Sequence, residues 1–170
     1  MTAITLRRAT PADLNRLAAI HQTSARAAYM HIFPPAAEFP RAAVRNEIAL
    51  HLADATMCTS VALKNRKPVG FVVAGPASES VDAFSYHAVG QIHLLHVHPD
   101  SQGSGVGTLL LEDALAGMRE DRRSQAILWV LVENHRARRF YERRGWRSDG
   151  ARRTEQHAIP VEILRYRRAL

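Results

Sequence analysis

The sequence has a single cysteine, Cys58, among 170 residues. One thiol excludes an internal disulfide and a thiolate metal cluster, and it is consistent with a reducing compartment. We expect Cys58 to be a buried strand residue. Lysine is nearly as scarce, since Lys64 and Lys67 are the only two. The net charge of +7 therefore comes from arginine, whose guanidinium group suits phosphate and carboxylate partners.

Long apolar runs are also missing. No run approaches the roughly 20 residues that a membrane span needs, and residues 1–14 lack the apolar stretch of a signal peptide. We therefore expect a cytoplasmic protein with no membrane partner. The length and the 46% content of hydrophobic residues suit one domain, residues 1–170, with a sizeable core. Nucleic acid is not an expected partner, because helical spacing explains Phe140 and Tyr141 in the densest basic run as core residues.

Hydrophobic periodicity predicts the element order β-α-α-β-β-β-α-β-α-β-β. Thr10, Pro11 and Asp13 predict a helix start, because a hydroxyl can cap the helix, proline suits its first position and an acid suits its first turn. An apolar strand at 89–97 is followed by a helix at 105–119. This order predicts an α/β (α+β) fold with a mixed, mostly antiparallel sheet, helices on both faces and one parallel β-α-β crossover.

Three glycines at alternate positions, Gly103, Gly105 and Gly107, lie between that strand and that helix. Such a turn collects main-chain N–H groups and the positive end of the helix dipole around one point, which binds an anion, usually phosphate. A P-loop would need a lysine after the glycines, where Thr108 stands. A Rossmann fingerprint would need a third glycine at Thr108 and an earlier place in the chain. A helix start with glycines for close packing is the structural alternative.

Two motifs in this order resemble the GNAT superfamily of acetyl-CoA-dependent N-acetyltransferases. The first is the pattern Q/R-x-x-G-x-G/A after a strand ending V-x-P, matched by Val97, Pro99, Gln102, Gly105 and Gly107. The second is N-x-x-A-x-x-F-Y-x-x-x-G-[FW], matched by Asn134, Ala137, Phe140, Tyr141, Gly145 and Trp146. The resemblance extends over most of the chain, because the opening strand and helix and the closing strand are also similar to those of the family.

The resemblance implies a splayed pair of central strands that seats acetyl-CoA as the cosubstrate. The residues that would bind it are Leu95, His96, Val97, Gln102, Gly103, Ser104, Gly105, Val106, Gly107, Thr108, Asn134 and Tyr141. In the family the pyrophosphate lies on main-chain amides of the glycine loop, and the pantetheine arm lies in the gap like an added strand. By position, Leu95 and Val97 supply main-chain bonds to that arm, and the amide near Leu95 faces the thioester oxygen. Asn134 caps the next helix, binds the pantetheine, or does both.

The reaction that the resemblance implies is direct attack of an amine on the thioester carbonyl. Tyr141 looks like the family's general acid, which protonates the departing thiolate, although a core tyrosine is the alternative. Many relatives carry a carboxylate base where this chain has Gln91, which cannot take a proton. His93 is expected on the same face and has an ordinary pKa of about 6.5, which fits proton removal directly or through water. Strand packing of His93, with water as the base, is the alternative.

Strand alternation sends His93 to the face opposite His96 and His98. Three histidines so divided do not make a metal site, and we expect no metal.

The acceptor pocket implied by the resemblance lies between residues 27–40, residues 77–90 and the last strands. The side chains that it offers are Tyr29, His31, Phe33, Phe84, Tyr86 and His87. This mixture suits a primary amine of a small molecule or an amino-acid-like substrate, and the scarcity of acids argues against a polyamine. The alternatives are a protein N-terminus or lysine, a non-catalytic acyl-CoA-binding module, and an arginine-driven nucleic-acid binder. The family often forms homodimers, although the sequence shows no interface.

Overall fold

The computed structural model describes residues 3–33, 41–78, 88–157 and 159–170. Within them the strands are β1 (Ile4–Arg8), β2 (Cys58–Lys64), β3 (Lys67–Pro76), β4 (Val89–Val97), β5 (Gln125–Leu131), β6 (Arg147–Gln156) and β7 (Pro160–Ala169). The helices are α1 (Leu14–Tyr29), α2 (Arg41–Ala53), α3 (Val106–Glu120) and α4 (His135–Glu142). This order of elements is the predicted one.

The strands form one mixed sheet in the order β1-β2-β3-β4-β5-β7-β6. The pair β4 and β5 is parallel and is joined through α3, whereas the other pairs are antiparallel. The predicted mixed, mostly antiparallel sheet with one parallel crossover is therefore confirmed. Among the described residues, no helix has the length and apolarity required to span a bilayer.

Side-chain alternation along the central strands builds a core on each face of the sheet. The face covered by α1 and α2 contains Leu17, Ile20, Val44, Ile48, Val61, Phe71 and Val73. The face covered by α3 contains, among others, Ala62, Val72, Ala74, Leu110, Leu111, Ala114 and Leu115. The helices thus lie on both faces, as predicted, and β3 and β4 are held between them.

The helix start predicted at Thr10 is present and leads into α1 through a 3-10 turn at Pro11–Asp13. The carboxylate of Asp13 accepts from the main-chain N–H of Thr10 at 2.8 Å. It also accepts two hydrogen bonds from the guanidinium of Arg7, both at 2.8 Å. The hydrogen bonds from Arg7, followed by those from Thr10, outweigh the opposing effect of burial and lower the pKa of Asp13 to about 2.

We expect Asp13→Asn to lower the free energy of unfolding by roughly 2 kcal/mol at pH 7. The folded-state pKa of about 2 lies below the ordinary value of 3.8, so the carboxylate stabilises the fold above pH 4 and loses this effect as the pH falls towards 2. The difference between the parent and the variant should shrink to about half at pH 3. Urea unfolding at both pH values measures it, and an equal difference at both would contradict the assignment.

Cys58 is the first residue of β2 and carries a free thiol, but it is half-buried rather than buried. The reason is that this end of β2 borders a surface groove between the ends of α2 and α3. The strand assignment from the sequence was correct, and the expected burial was wrong.

β4 contains a β-bulge at His93. Val73 of β3 lies opposite Leu94, whereas the next residue, Ala74, lies opposite Ile92, so His93 is an extra residue in β4. A bulge interrupts the alternation of side chains and increases the local twist of the strand. As a result His93 and Leu94 both lie on the face of α1 and α2.

The prediction that His93 and His96 lie on opposite faces is therefore wrong. The ring of His93 contacts His51 of α2, with 5.5 Å between ring centroids. The ring of His96 contacts His21 of α1, with 4.2 Å between ring centroids. Both histidines of β4 thus lie beneath the same helix pair, because the bulge at His93 puts His93 and Leu94 on one face and shifts the alternation of the residues that follow.

Candidate active site

β4 and β5 separate after four paired residues. Val89–Ile92 pairs with Gln125–Leu128, although β4 continues to Val97 and β5 to Leu131. The bulge at His93 follows the last pair immediately, and bulges bend the strand that carries them. This position explains why the strands diverge there, and the predicted splayed central pair is confirmed.

The edge of β4 that faces this gap carries the main-chain groups of Leu95 and Val97. The N–H of His98 donates to the carbonyl oxygen of Val69 at 2.8 Å, which identifies that position as a hydrogen-bonded pair of the antiparallel ladder. Hydrogen-bonded and non-bonded pairs alternate along such a ladder. Leu95 and Val97 therefore direct their N–H and C=O groups away from β3 and into the gap, where an extended ligand can add as a strand.

The glycine turn opens beside the end of β4. Gly103 and Gly105 have φ angles of +79° and +88°, in the left-handed region that favours glycine. A Cβ at either position would meet no atom within 4 Å, so the backbone conformation, and not lack of space, requires glycine there. At Gly107 a Cβ would lie 3.5 Å from the ring of Phe140. The turn is thus both strained for other residues and open to a ligand.

The N-terminus of α3 presents donors to this open side. The first hydrogen bond of the helix runs from the N–H of Leu109 to the carbonyl of Gly105, at 3.0 Å. The N–H groups of Val106, Gly107 and Thr108 precede it and have no acceptor within the helix. Together with the helix dipole they give this end of α3 the arrangement that favours an anion, and the anion site itself stays a prediction.

Side chains of the turn hold its shape. Gln102 donates its side-chain amide to the carbonyl of Val97 at 3.0 Å, which ties the turn to the end of β4. The Ser104 hydroxyl donates to the carbonyl of Ser101 at 2.7 Å. The side chain of Val106 is buried in the core under α3. Any contribution of Ser104 and Val106 to a ligand therefore comes from their main chain.

α4 forms the opposite wall. Asn134 caps the helix by accepting from the N–H of Ala137 at 3.1 Å, and Gly145 ends it with a φ of +80°, as predicted. The hydroxyl of Tyr166 on β7 donates to the carboxylate of Glu142 at 2.5 Å. This bond attaches α4, the helix that carries Tyr141, to the sheet.

These elements enclose a cleft of about 500 Å³. The sequence-predicted residues that line it are Leu95, His96, Val97, Gln102, Gly103, Gly105, Gly107, Thr108, Asn134 and Tyr141, together with Tyr29 and His31 of the acceptor set. Phe33 packs behind Tyr29, with ring centroids 6.0 Å apart. His93, Ser104 and Val106 are outside the lining, and Phe84, Tyr86 and His87 lie outside the described residues.

Sequence reasoning missed two arginines that line the cleft, Arg136 and Arg144. The guanidinium of Arg144 donates to the hydroxyl of Thr108 at 2.6 Å and lies 3.9 Å from the centroid of the Phe140 ring. These contacts hold a positive charge beside the glycine turn. The signal was present in the basic run at 136–147, but the run by itself does not show which of its arginines faces a cleft.

Tyr141 is a buried phenol at the inner side of the cleft. Burial, and to a smaller extent the neighbouring Tyr29, raises the pKa of Tyr141. Burial also raises the pKa of Tyr29, against a hydrogen bond with Asn134 that lowers it. Tyr141 therefore keeps its proton across the ordinary pH range and can donate it.

The histidines and acids do not form a metal site in the part of the chain that the structure describes, where no group of three such side chains is close enough to hold an ion.

Comparisons with known proteins agree with this geometry. The model of the Acetyltransferase (GNAT) family matches residues 17–146. An uncharacterized N-acetyltransferase of Archaeoglobus fulgidus is 45% identical over 43% of this chain and 48% of its own length, so the chain spans about half of that relative. The probable N-acetyltransferase Rv2775 of Mycobacterium tuberculosis is 28% identical over 86% of this chain and 82% of its own length.

Among solved structures, PaiA N-acetyltransferase from Thermoplasma acidophilum, in complex with coenzyme A, superposes with a TM-score of 0.73. It is 16% identical, and the match covers 96% of this chain and 98% of that one, which shows a shared fold. The family match spans both motifs, the splayed strands and the glycine turn, and the chain belongs to the GNAT family of acetyltransferases.

Proposed function

We propose that this protein transfers the acetyl group of acetyl-CoA to a primary amine of a small molecule or amino-acid-like substrate, in a ternary complex. The observation that carries the proposal is one shared cleft. The unpaired amides of the glycine turn, the open edge of β4 and the phenol of Tyr141 all face it. A thioester that carries phosphate groups requires an anion site, an extended groove and a proton donor in the same cleft.

The cleft complements the charge and shape of acetyl-CoA. The N-terminal amides of α3 receive the pyrophosphate, and Arg144, which donates to Thr108, adds positive charge at that end. The pantetheine arm adds to β4 by bonding the main chain of Leu95 and Val97. This placement directs the thioester towards Tyr141, which lines the same cleft.

The reaction forms one bond and breaks another. The amine nitrogen attacks the thioester carbon, and the N–H of Leu95 stabilises the oxyanion of the tetrahedral intermediate. The C–S bond then breaks, and the Tyr141 hydroxyl protonates the sulfur. Alignment of two bound reactants is worth roughly 7 to 11 kcal/mol and one oxyanion donor about 3 to 4 kcal/mol. Positioning by the cleft therefore contributes most of the rate.

His93 can take the proton of the amine only through intervening water, and water alone is the alternative. Its ring lies outside the cleft lining, beside His51 of α2. Its Nε2 lies 3.0 Å from the carbonyl of Pro76, which can only accept, so Nε2 carries the hydrogen of the neutral ring.

The cleft lining favours a small monoamine as the acceptor. Tyr29 and His31 line the cleft, and no acidic side chain is among the described residues that line it. A polyamine would need acids for its remaining charges. A protein N-terminus or lysine, and a non-catalytic acyl-CoA-binding module, are the competing functions.

Ion pairs on the last strands argue against the nucleic-acid alternative. Arg165 donates to Asp149 at 2.7 Å. Arg152 pairs with Glu162 at 3.0 Å. Because these arginines are already paired with acids of the same sheet, they do not form a stripe of free positive charge.

Acetyl-CoA at 100 times its Kd should stabilise the protein by about 2.7 kcal/mol, which appears as a rise in Tm of several degrees. Thiol release from acetyl-CoA should then depend on an added amine, and small monoamines should be used faster than peptides or polyamines. Thermal shift and thiol release over an amine panel measure both.

Three outcomes separate the candidate functions. No shift with acetyl-CoA would refute the proposal. A shift without amine-dependent thiol release would indicate a binding module. A salt-sensitive shift with bulk DNA, larger than that with acetyl-CoA, would indicate a nucleic-acid binder.

A further inference from the structure

His96 is a titratable side chain in the wall of the cleft that the proposed chemistry does not use. It lies between Leu95 and Val97, the residues whose main-chain groups face the gap, and it lines the cleft. Its ring stacks on Phe71 of β3, with an interplanar angle of 28° and 5.6 Å between centroids. The imidazole is thus held in the wall of the cleft, one residue from Leu95, whose N–H would bind the thioester oxygen.

A hydrogen bond to Ser24 of α1 sets the tautomer of His96. The Ser24 hydroxyl donates to the carbonyl of His21 at 3.0 Å, and a hydroxyl has a single proton to donate. We assign the proton of Ser24 to that carbonyl, which leaves an N–H on Nδ1 to make the 2.8 Å contact between Ser24 Oγ and His96 Nδ1. The lone pair of the neutral ring is on Nε2, which has no hydrogen bond to any described residue.

The groups around His96 keep it uncharged. His21 of α1 is its nearest titratable neighbour, Glu47 and His51 lie on α2, and His93 lies on β4. Burial lowers the pKa of His96 well below its ordinary value, and the charge of a protonated His21 acts in the same direction. Burial also lowers the pKa of His21, against the opposing charge of Glu47. A neutral imidazole with a free Nε2 is a proton acceptor.

We propose that His96 accepts, through Nε2, the proton that the attacking amine loses, and that Ser24 is the positioning residue for this ring. The inference rests on the acetyl transfer proposed above. The amine attacks as the free base, and the C–N bond gives the nitrogen a positive charge. Its proton passes to His96, the C–S bond breaks, and the sulfur takes the proton of Tyr141. Solvent then returns the proton from the imidazolium to the phenolate, leaving an N-acetylated amine and free coenzyme A.

A weakly basic imidazole suffices for this step. An alkylammonium ion, with a pKa of about 10.4, would not give its proton to His96. After attack, the nitrogen is bonded to a carbon that bears oxygen and sulfur, and its proton is far more acidic. For the proton acceptor, being close and uncharged therefore matters more than being strongly basic.

His96→Gln tests the assignment. The best alkylamine of the thiol-release panel and its β,β-difluorinated analogue, whose nitrogen is less basic, are compared between pH 4 and 9. We expect kcat for the alkylamine to fall about tenfold at pH 7, with the KM for acetyl-CoA within twofold. With the difluorinated amine the fall in kcat should be smaller. The inflection on the acid side of the parent's pH profile of kcat should be absent in His96→Gln.

The companion variants decide between this role and packing. His135→Gln, an exposed histidine on α4, should match the parent. Ser24→Ala keeps the ring but frees Nδ1, so it should shift the inflection without changing the affinity for acetyl-CoA. An unchanged inflection in Ser24→Ala and His96→Gln would overturn the inference, as would a loss in His93→Gln at least as large as that in His96→Gln. A parent that does not bind acetyl-CoA would instead refute the proposed function.

Discussion

Gly105→Glu is expected to weaken acetyl-CoA binding more than about a hundredfold, which is roughly 2.8 kcal/mol. Gly105 has a φ of +88°, and a left-handed residue other than glycine costs roughly 1 to 2 kcal/mol. Glutamate also places a carboxylate at the N-terminus of α3, the proposed site of the pyrophosphate. The introduced carboxylate repels the negatively charged pyrophosphate, and the glutamate side chain fills space that the ligand needs. Isothermal titration with acetyl-CoA measures the effect.

Two variants separate backbone strain from charge and crowding. Gly105→Ala carries the strain alone and should lose about tenfold or less in affinity. Gly117→Glu makes the same change in charge on the same helix, in open space and without a positive φ, and should bind as the parent does. If Gly105→Glu binds acetyl-CoA with the affinity of the parent, the glycine turn is not the nucleotide site.

Tyr141→Phe should lower kcat about a hundredfold while the Kd for acetyl-CoA stays within about threefold. The substitution removes the hydroxyl that we propose protonates the sulfur, and it keeps the buried ring, which packs edge-on to Phe140 and Trp146. A raised pKa keeps the phenol protonated, and the same apolar surroundings raise the basicity of the thiolate that it protonates. Steady-state kinetics with the preferred amine measures kcat, and titration measures Kd.

Tyr166→Phe is the matched comparison for Tyr141→Phe. It also removes one buried hydroxyl next to α4, but that hydroxyl bonds Glu142 and lies outside the cleft lining. Its effect should appear as a lower Tm, with kcat within a few fold of the parent. An unchanged kcat in Tyr141→Phe would remove Tyr141 from the mechanism, and a large rise in Kd would indicate that its hydroxyl serves binding.

Much of the binding half of the site could be predicted from short stretches of sequence. The turn glycines, the Asn134 cap and the Gly145 end are local features, because each depends on the φ angle or on a hydrogen bond within three or four residues. The periodicity of the strands and helices is local too, and it predicted the element order. The main-chain donors of the glycine turn needed no tertiary information, since every helix N-terminus leaves its first amides without partners.

The environment of the histidines could not be predicted in this way. Perfect alternation along β4 put His93 and His96 on opposite faces, and the bulge at His93 puts both under α1 and α2. The partners of His96, Ser24 among them, come from elements 25 or more residues away. A bulge depends on how two strands register, and the sequence of one strand does not specify that register.

The sequence by itself determined the elements, their order and the glycine turn, because these follow from side-chain periodicity and from the conformations that glycine permits. The tertiary structure alone decided where β4 separates from β5, that Arg144 contacts Thr108, and which histidine of β4 lines the cleft. Those outcomes depend on strand register and helix packing, which bring distant residues within hydrogen-bonding distance. A local pattern does not contain that information.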